Sequence, residues 1–332
     1  MLRLDFFESG VGETIIITFP DETIGIVDAH PSTVKSRPSI LELLEGKKIR
    51  FACLTHPHQD HGLDLLPVLS SKKIEEFWHT IDDITFFVEN LAKTPDFRAL
   101  HRNDALDVKK GWARFLLSLL NEVFEKDIPD NPLRNDLQTF NFAGAEITVG
   151  WPNRFAQREY IKTYIARLKK PKKALPDHNG ISAVLILKYG DRIVLLGSDA
   201  LKNSWSAVKK VFHDRGLHKA RILKVPHHGA LNALHLHPDK NRVSYLDLCA
   251  DDCDAILFAG DCDHPDVNVK TRLKARTSLH SFFDIETQIA GADPLKLNLY
   301  GGVGVDTVPR KVISSQMTVL IQPNGTVSLT IK

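Results

Sequence analysis

The sequence predicts a single mixed α/β domain in which two β-sheets lie between helices, with a mostly helical insertion over about residues 64–145. Three observations carry this. β-Patterned segments stand at both ends of the chain and enclose helical ones. Strands that run into chemically loaded turns recur in both halves. No low-complexity linker and no fixed period divides the 332 residues, so neither separate modules nor a repeat array is indicated.

Taken in order, Leu2 to Phe7 alternates, and the turn Ser9-Gly10-Val11-Gly12 leads into Glu13 to Phe19. Pro20-Asp21-Glu22 then turns the chain into Ile24 to Asp28, completing a meander of strands. The Gly-rich turn precedes a strand and not a helix, so it is a β-turn and not a phosphate cradle. Pro38 to Leu44 reads as a short helix, and Ile49 to Leu54 as a buried strand. Ile81 to Ala92 and Trp112 to Phe124 carry apolar residues at helical spacing. β-Signals return at Glu146 to Gly150, followed by a strongly basic stretch from Arg154 to Lys173. Ala183 to Lys188 and Arg192 to Leu196 are strands about the turn Tyr189-Gly190-Asp191. Lys202 to Phe212 is an amphipathic helix, Arg221 to Val225 a strand, Ala255 to Ala259 a strand and Asn268 to Ala275 a helix. Met317 to Gln322 and Thr326 to Ile331 flank Pro323-Asn324-Gly325 as a closing C-terminal hairpin.

Composition excludes several classes. Hydrophobic residues are 43% and charged residues 25%, enough for a sizeable core without metals or disulfides. A net charge of +2 does not mark a nucleic-acid binder in bulk, so any such role rests on local patches. Apolar runs such as Ala183 to Leu187 fall short of the roughly 20 residues of a membrane span. Met1 to Phe7 holds no signal-peptide core. Cys53, Cys249, Cys253 and Cys262 are too sparse for a disulfide framework, and the Cys249/Cys253 spacing lacks the second pair of a structural zinc site. A soluble protein of the reducing cytoplasm is expected, with no membrane contact. The compositional oddity is 15 histidines.

Thr55-His56-Pro57-His58-Gln59-Asp60-His61-Gly62 is the strongest chemical signal. It places three imidazoles and a carboxylate within six residues at the exit of a buried strand. Alternation aims His56 and His58 the same way, while Asp60 and His61 sit beyond, turned toward a second position. Imidazole with carboxylate suits zinc, iron or manganese. Asp199 closes another apolar strand, and Val225-Pro226-His227-His228-Gly229 a third. No nucleophile elbow or P-loop is present.

This spacing resembles the metallo-β-lactamase superfamily, with five motifs in order: Ile26-Val27-Asp28-Ala29, the His motif, Asp177 to Ser182, Leu195 to Ala200, and Val225 to Gly229. Within it, the likeness is to the hydrolase domain of competence DNA-uptake channel proteins and their free-standing relatives. It is carried by Phe6 to Ile17 with its Gly-x-Gly-acid turn, Leu223 to Gly229, and Asp263-His264-Pro265. It covers roughly residues 1–70 and 176–275. One departure is Ser198, which stands between Gly197 and Asp199 where the family often has Gly directly before the Asp.

The resemblance implies an αββα four-layer sandwich and two divalent ions, zinc or manganese. His56, His58 and His178 would hold the first; Asn179 competes with His178 for that place. Asp60, His61 and His228 would hold the second, and Asp199 would bridge. His227 would face the substrate, with the swapped arrangement of His227 and His228 left open. Asp28 and His264 would support the site without binding metal. The ions would hold a hydroxide by lowering the pKa of water from 15.7 to about 7, with Asp60 placed to pass a proton. A phosphodiesterase or nuclease acting on DNA is the leading expectation. A small ester, thioester or phosphocholine-type substrate is the alternative. So is a metal-binding regulatory component of a multi-protein, defence-type complex, with the insertion and the tail after Asp284 as partner surfaces. Arg154, Arg158, Lys162, Arg167, Lys169, Lys170, Lys172 and Lys173, and the run Lys270 to Arg276, are candidate phosphate contacts. His30, His79, His101, His213, His218, His235, His237 and His280 lack motif context and read as structural or surface residues.

Overall fold

Period-two burial in the first strands decides which side chains meet between the sheets. The structure, a computed structural model, describes residues 1–32, 34, 37–92, 108–136, 138–168, 176–239, 242–258, 260, 264–283 and 314–332. The first sheet contains β1 (Leu2–Phe7), β2 (Ile15–Thr18), β3 (Ile24–Val27), β4 (Ile49–Cys53), β5 (Ile74–His79) and β6 (Asp130–Pro132). The second contains β7 (Thr139–Phe142), β8 (Ala145–Trp151), β9 (Val184–Tyr189), β10 (Arg192–Leu196), β11 (Ala220–Lys224), β12 (Cys249–Leu257) and β13 (Ser278–Ser281). The C-terminal hairpin, β14 (Gln316–Ile321) and β15 (Val327–Ile331), joins the first sheet. Spatial orders are β15-β14-β1-β2-β3-β4-β5-β6 and β13-β12-β11-β10-β9-β8-β7.

Leu2, Leu4 and Phe6 of β1 and Ile15 and Ile17 of β2 share one core with Ile147, Leu185 and Leu187 of the second sheet. Phe51 and Trp78 stack there with ring centroids 3.7 Å apart. The alternate residues Phe7, Ile16, Ala52 and Phe77 point outward into a second core. That core is covered by α1 (Ile40–Leu43), α2 (Leu65–Ser71), α3 (Ile84–Ala92), α4 (Val108–Glu125) and α5 (Arg154–Leu168). α6 (Trp205–Asp214) and α7 (Val267–Arg276) cover the second sheet, α6 against β8 and α7 against β12 and β13. The layers run helix, sheet, sheet, helix, as expected from the sequence.

Local chemistry explains the helix starts. Ser39 and Glu42 form a reciprocal capping box on α1. Asp266 accepts from the Asn268 and Val269 N–H groups at the start of α7. In α6 the buried residues Trp205, Val208, Val211 and Phe212 make one apolar stripe.

Residues 64–145 are less helical than their periodicity suggests. They hold α2, α3 and α4, but also β5 and β6, which extend the first sheet in parallel beyond β4, and β7, which pairs with β8. Charge hid β5. Glu75 interrupts its apolar pattern, yet it pairs with Lys48 at 2.9 Å and Arg50 at 3.0 Å, and Glu76 accepts from Trp78 Nε1 at 2.8 Å. β6 is a three-residue edge ending in Pro132, where a missing N–H is tolerated. The basic stretch from Arg154 folds as α5; Lys169, Lys170, Lys172 and Lys173 lie outside the described residues. So do Cys262, Asp263, His101 and residues 284–313, which include most of the tail read as a partner surface. Among the described residues, no helix is long and apolar enough to cross a membrane.

Candidate metal centre

The sheets bring the carboxyl ends of parallel strands to one edge. β3 runs parallel to β4 in the first sheet, and β10 and β12 flank β11 in parallel in the second. Outside such strand ends the chain must turn, and polar side chains converge on the space between the turns. Asp28 follows β3, Thr55 to His61 follow β4, Asp199 follows β10, and His227 and His228 follow β11. His178 and Asn179 come from the turn ahead of β9.

The turns are unusually tight. Asp28, Ser198, His227 and His228 all have positive φ, at 54°, 39°, 48° and 51°. A left-handed conformation costs a non-glycine residue about 1 kcal/mol or more, so four around one point must be held by their surroundings. The Ser198 carbonyl accepts from His227 N–H at 2.8 Å and from Lys224 Nζ at 2.8 Å. Ser198 Oγ also lies 2.5 Å from Thr55 Oγ1, linking the two sheets' turns. The left-handed turn replaces the simple strand exit expected for the His pair. Both imidazoles therefore reach Asp199: His227 Nε2 lies 3.7 Å from Oδ2 and His228 Nε2 3.6 Å from Oδ1.

Around Asp199 two groupings form. In the first, His56 Nε2 lies 2.9 Å from His58 Nδ1, and the His58 and His178 rings meet edge to face with centroids 4.7 Å apart. His56 Nε2 is 4.0 Å from Asp199 Oδ2. In the second, His61 Nε2 is 3.6 Å from Asp199 Oδ1 and 3.7 Å from Asp60 Oδ2. One ligand atom from each of Glu13, His61, Asp199 and His228 falls within a mutual 4.8 Å, and all four residues are buried. His61 Nε2, Asp199 Oδ1 and His228 Nε2 are buried without a hydrogen-bond partner. Leaving such groups unmatched costs about 1–3 kcal/mol each, so this donor set fits a cation.

The rings are oriented from behind. His61 Nδ1 donates to Asp28 Oδ2 at 2.7 Å, and Asp28 also accepts from Thr55 N–H and Oγ1 at 2.8 and 2.7 Å. His56 Nδ1 faces Ser182 Oγ at 3.3 Å and Thr55 Oγ1 at 3.2 Å. His178 Nδ1 contacts the Tyr160 hydroxyl. Asn179 Nδ2 lies 2.9 Å from His227 Nε2, so Asn179 is in the site as well as His178.

Burial pulls His56, His178 and His228 well below the ordinary imidazole value, and His58 down as well, which keeps these rings neutral, each with one nitrogen free of a proton. His61 differs: burial opposes its charge, but Asp28, Asp199 and Asp60 outweigh it and hold the imidazolium well above its usual range. Asp199 is held well below the usual carboxylate range, because His228, His61 and His227 overcome the desolvation that would raise it. Burial pushes the Asp28 carboxyl up against the pull of His61.

A cleft of about 280 Å³ opens over this centre, lined by His58, Asp60, Asp199, His227, His228 and His264, among others. His30, read from sequence as structural or surface, also lines it, with Nδ1 bonded to the Ser9 carbonyl at 2.7 Å. Two further groups escaped the sequence reading: Glu13 and Lys224, both buried and in direct contact. Glu13 belonged to the Gly-x-Gly-acid turn and Lys224 to the Leu223–Gly229 motif, so both were in view without a role. Tyr160 and Tyr164 are buried beside His178. Arg154 and Arg158 do not border this cleft: they pair with Asp82 at 3.6 and 3.2 Å, and Arg158 and Lys162 line a separate depression with Asp82 and Phe86.

No family model matches the chain, and no curated protein matches it. Solved structures do. The chain is similar to a CmlA β-hydroxylase variant at 13% identity, over 84% of this chain and 52% of that one, with a TM-score of 0.45. It thus spans about half the length of that protein. It is similar to Zn(2+)-bound PqqB from Methylobacterium extorquens at 11% identity, over 85% and 98% of the two chains, with a TM-score of 0.45. It is also similar to Igni18, a metallo hydrolase from Ignicoccus hospitalis, at 10% identity over 84% and 95%, with a TM-score of 0.43.

Proposed function

We propose that this chain is a metal-dependent hydrolase holding two divalent ions at the strand ends, with His56, His58 and His178 at the first position, Asp60, His61 and His228 at the second, and Asp199 between them. The observation that carries the reading is the cluster of buried, unpartnered ligand atoms on His61, Asp199 and His228. His228 is favoured over His227 as the ligand because Asn179 already occupies His227 Nε2, whereas His228 Nε2 has no partner. When bound, the ions supply Lewis acidity and bring the pKa of water to about 7. The chain's own residues do the rest. Asp60 stands at the cleft, partly exposed and within 3.7 Å of His61 Nε2, placed to take a proton from the attacking water. His227 lines the cleft, held by the bond from Asn179 Nδ2 to its Nε2, and would face an oxygen that gains charge as the bond breaks. His264 lines the same wall, its ring 5.7 Å from that of His227.

For the substrate we infer a phosphodiester, with DNA as the polymer; the support is the sequence likeness to competence-type hydrolase domains. The cleft's volume of about 280 Å³ favours a second reading, a small phosphodiester or ester, because it falls at the low end of the roughly 300–1,000 Å³ of ordinary ligand pockets. Purified protein loaded with zinc or manganese is tested on plasmid, single-stranded DNA, a chromogenic phosphodiester and a chromogenic acetate ester, with His58→Ala as control. Metal-dependent cleavage lost in His58→Ala supports a hydrolase, and the substrate cleaved decides between the readings. Wild-type protein that retains no metal would overturn both.

A further inference from the structure

The second metal position has more behind it than its ligands. Two imidazoles face it, and behind each, on the Nδ1 side, stands a buried carboxylate. His61 Nδ1 is bonded to a buried carboxylate, Asp28. His228 Nδ1 is buried without a hydrogen-bond partner, and the acid nearest to it is Glu13, whose Oε1 lies 4.0 Å away. Glu13 Oε2 is also 4.0 Å from His61 Nδ1. Glu13 therefore approaches both rings from the Nδ1 side, not from the Nε2 side that faces Asp199. On the other side Glu13 Oε1 is gripped by Lys224 Nζ, and both residues are almost completely buried. Lys224 also donates to the Ser198 carbonyl and lies 3.9 Å from Asp199 Oδ1.

This contrasts with the first position. There the outer partners of His56 and His178 are the hydroxyls of Ser182, Thr55 and Tyr160. A carboxylate behind an imidazole fixes its tautomer and raises its basicity more than a hydroxyl does. The two positions are thus unequal in electrostatic support, and Glu13 is the one carboxylate among the described residues placed to serve His228.

We propose that Glu13 is a positioning residue for the second metal position. It orients His228 by accepting its Nδ1–H, which leaves Nε2 bare toward the ion, and Lys224 holds Glu13 in that role and away from direct ligation. The present gap of 4.0 Å exceeds the roughly 2.7–3.2 Å of a hydrogen bond, so the role requires the ring and carboxylate to close by about an ångström when the position is filled. The proposal rests on the two-ion reading above.

Removing Glu13 alone would strand a buried ammonium, so the test uses double variants on the full chain. Glu13→Gln/Lys224→Met removes both charges but keeps an acceptor for His228. Glu13→Ala/Lys224→Met removes the acceptor as well. His228→Ala is the reference for a lost ligand. Cobalt(II) titration followed by visible absorption gives the affinity of each equivalent, and elemental analysis gives the stoichiometry. In zinc-loaded protein, proton–nitrogen NMR reads the His228 Nδ1–H. In the Ala double variant one equivalent should weaken about 10–100-fold, the other should be unchanged, and the His228 Nδ1–H signal should vanish. The Gln double variant should recover most of the affinity and keep a shifted signal. Wild-type affinity in the Ala double variant would overturn the proposal while leaving the two-ion reading intact. Complete loss of one equivalent in both double variants, as in His228→Ala, would make Glu13 a ligand and also overturn it. Wild-type protein that binds no cobalt would defeat the two-ion reading, and this proposal with it.

Discussion

Replacing Asp28 separates the stability of the site's wall from its ability to hold metal. In the folded chain the carboxylate is fully buried and accepts from Thr55 N–H, Thr55 Oγ1 and His61 Nδ1 at 2.7–2.8 Å. Asp28→Ala strands two buried donors, the Thr55 N–H and the His61 Nδ1–H, since Thr55 Oγ1 still has Ser198. At about 1–3 kcal/mol per unsatisfied group, the loss is about 2–6 kcal/mol. Asp28→Asn keeps the volume and the bond from Thr55 N–H, so its stability loss should be nearer 1 kcal/mol. The Asn amide, however, places a donor against His61 Nδ1. The ring proton must then move to Nε2, the nitrogen facing Asp199, and a metal would have to displace it. Asp28→Asn should therefore lose at least 10–100-fold in affinity at one of two metal equivalents despite its near-native fold. Urea unfolding followed by circular dichroism gives the stabilities, and cobalt titration the affinities. An Asn variant with wild-type affinity at both equivalents would refute the reasoning, because it would mean that His61 Nε2 does not face the ion.

Proton competition gives a second expectation. His61 is held above its ordinary pKa by Asp28, Asp199 and Asp60 against the effect of burial, so binding through Nε2 releases a proton. Affinity at that position should fall by about tenfold per pH unit below the raised pKa, which calorimetry in buffers of different ionisation enthalpy would read. The metal-free chain has the opposite trend: the stability contributed by the His61 charge is full below about pH 6.5 and is lost as pH rises through the folded-state value, visible as a lower urea midpoint in alkali. Gly12→Ala should disturb the second position, because its Cβ would lie 2.0 Å from the Asp60 carbonyl, whereas Gly180→Ala has open space. A stability loss of about 1–3 kcal/mol with weakened metal binding is expected for Gly12→Ala only, checked by the same two assays. Arg154→Ser/Arg158→Ser should leave the salt dependence of DNA binding unchanged, since both charges are engaged by Asp82. A slope reduced by about 0.9 per residue in anisotropy titrations would show that they touch phosphate.

Much of this architecture was legible because hydrophobic alternation and turn residues agreed. Strand β10 occupies the residues expected, and β9, β11 and the closing hairpin differ by a residue at their ends. The His motif was legible for a different reason: four ligand side chains in six residues leave little room for another use. What stayed hidden depends on contacts distant in sequence. β5 carries Glu75 and Glu76, whose partners Lys48, Arg50 and Trp78 make them compatible with a strand only once β4 is alongside. The basic residues opening α5 read as a free charge run, but Asp82 lies more than seventy positions earlier. Glu13 and Lys224 each looked ordinary in its own motif, and their pairing across the two sheets gives them meaning. The left-handed turn at His227 and His228 was likewise invisible, because strand alternation predicts opposite directions and the turn aims both at Asp199.

Strand β1 is interior to its sheet only because β14 pairs along its whole length, from Leu2 opposite Ile321 to Phe7 opposite Gln316. The seam is also tied by side chains, with Thr318 Oγ1 and Gln316 Nε2 donating to the buried Asp5 carboxylate at 2.6 and 2.8 Å. During synthesis β1 thus waits for more than three hundred residues before its outer edge is satisfied. Until then it presents a row of unpaired amides beside Leu2, Leu4 and Phe6, the kind of edge that recruits strands from other chains. Biosynthesis of this protein therefore has a vulnerable interval set by its topology, one that ends when the C-terminal hairpin docks.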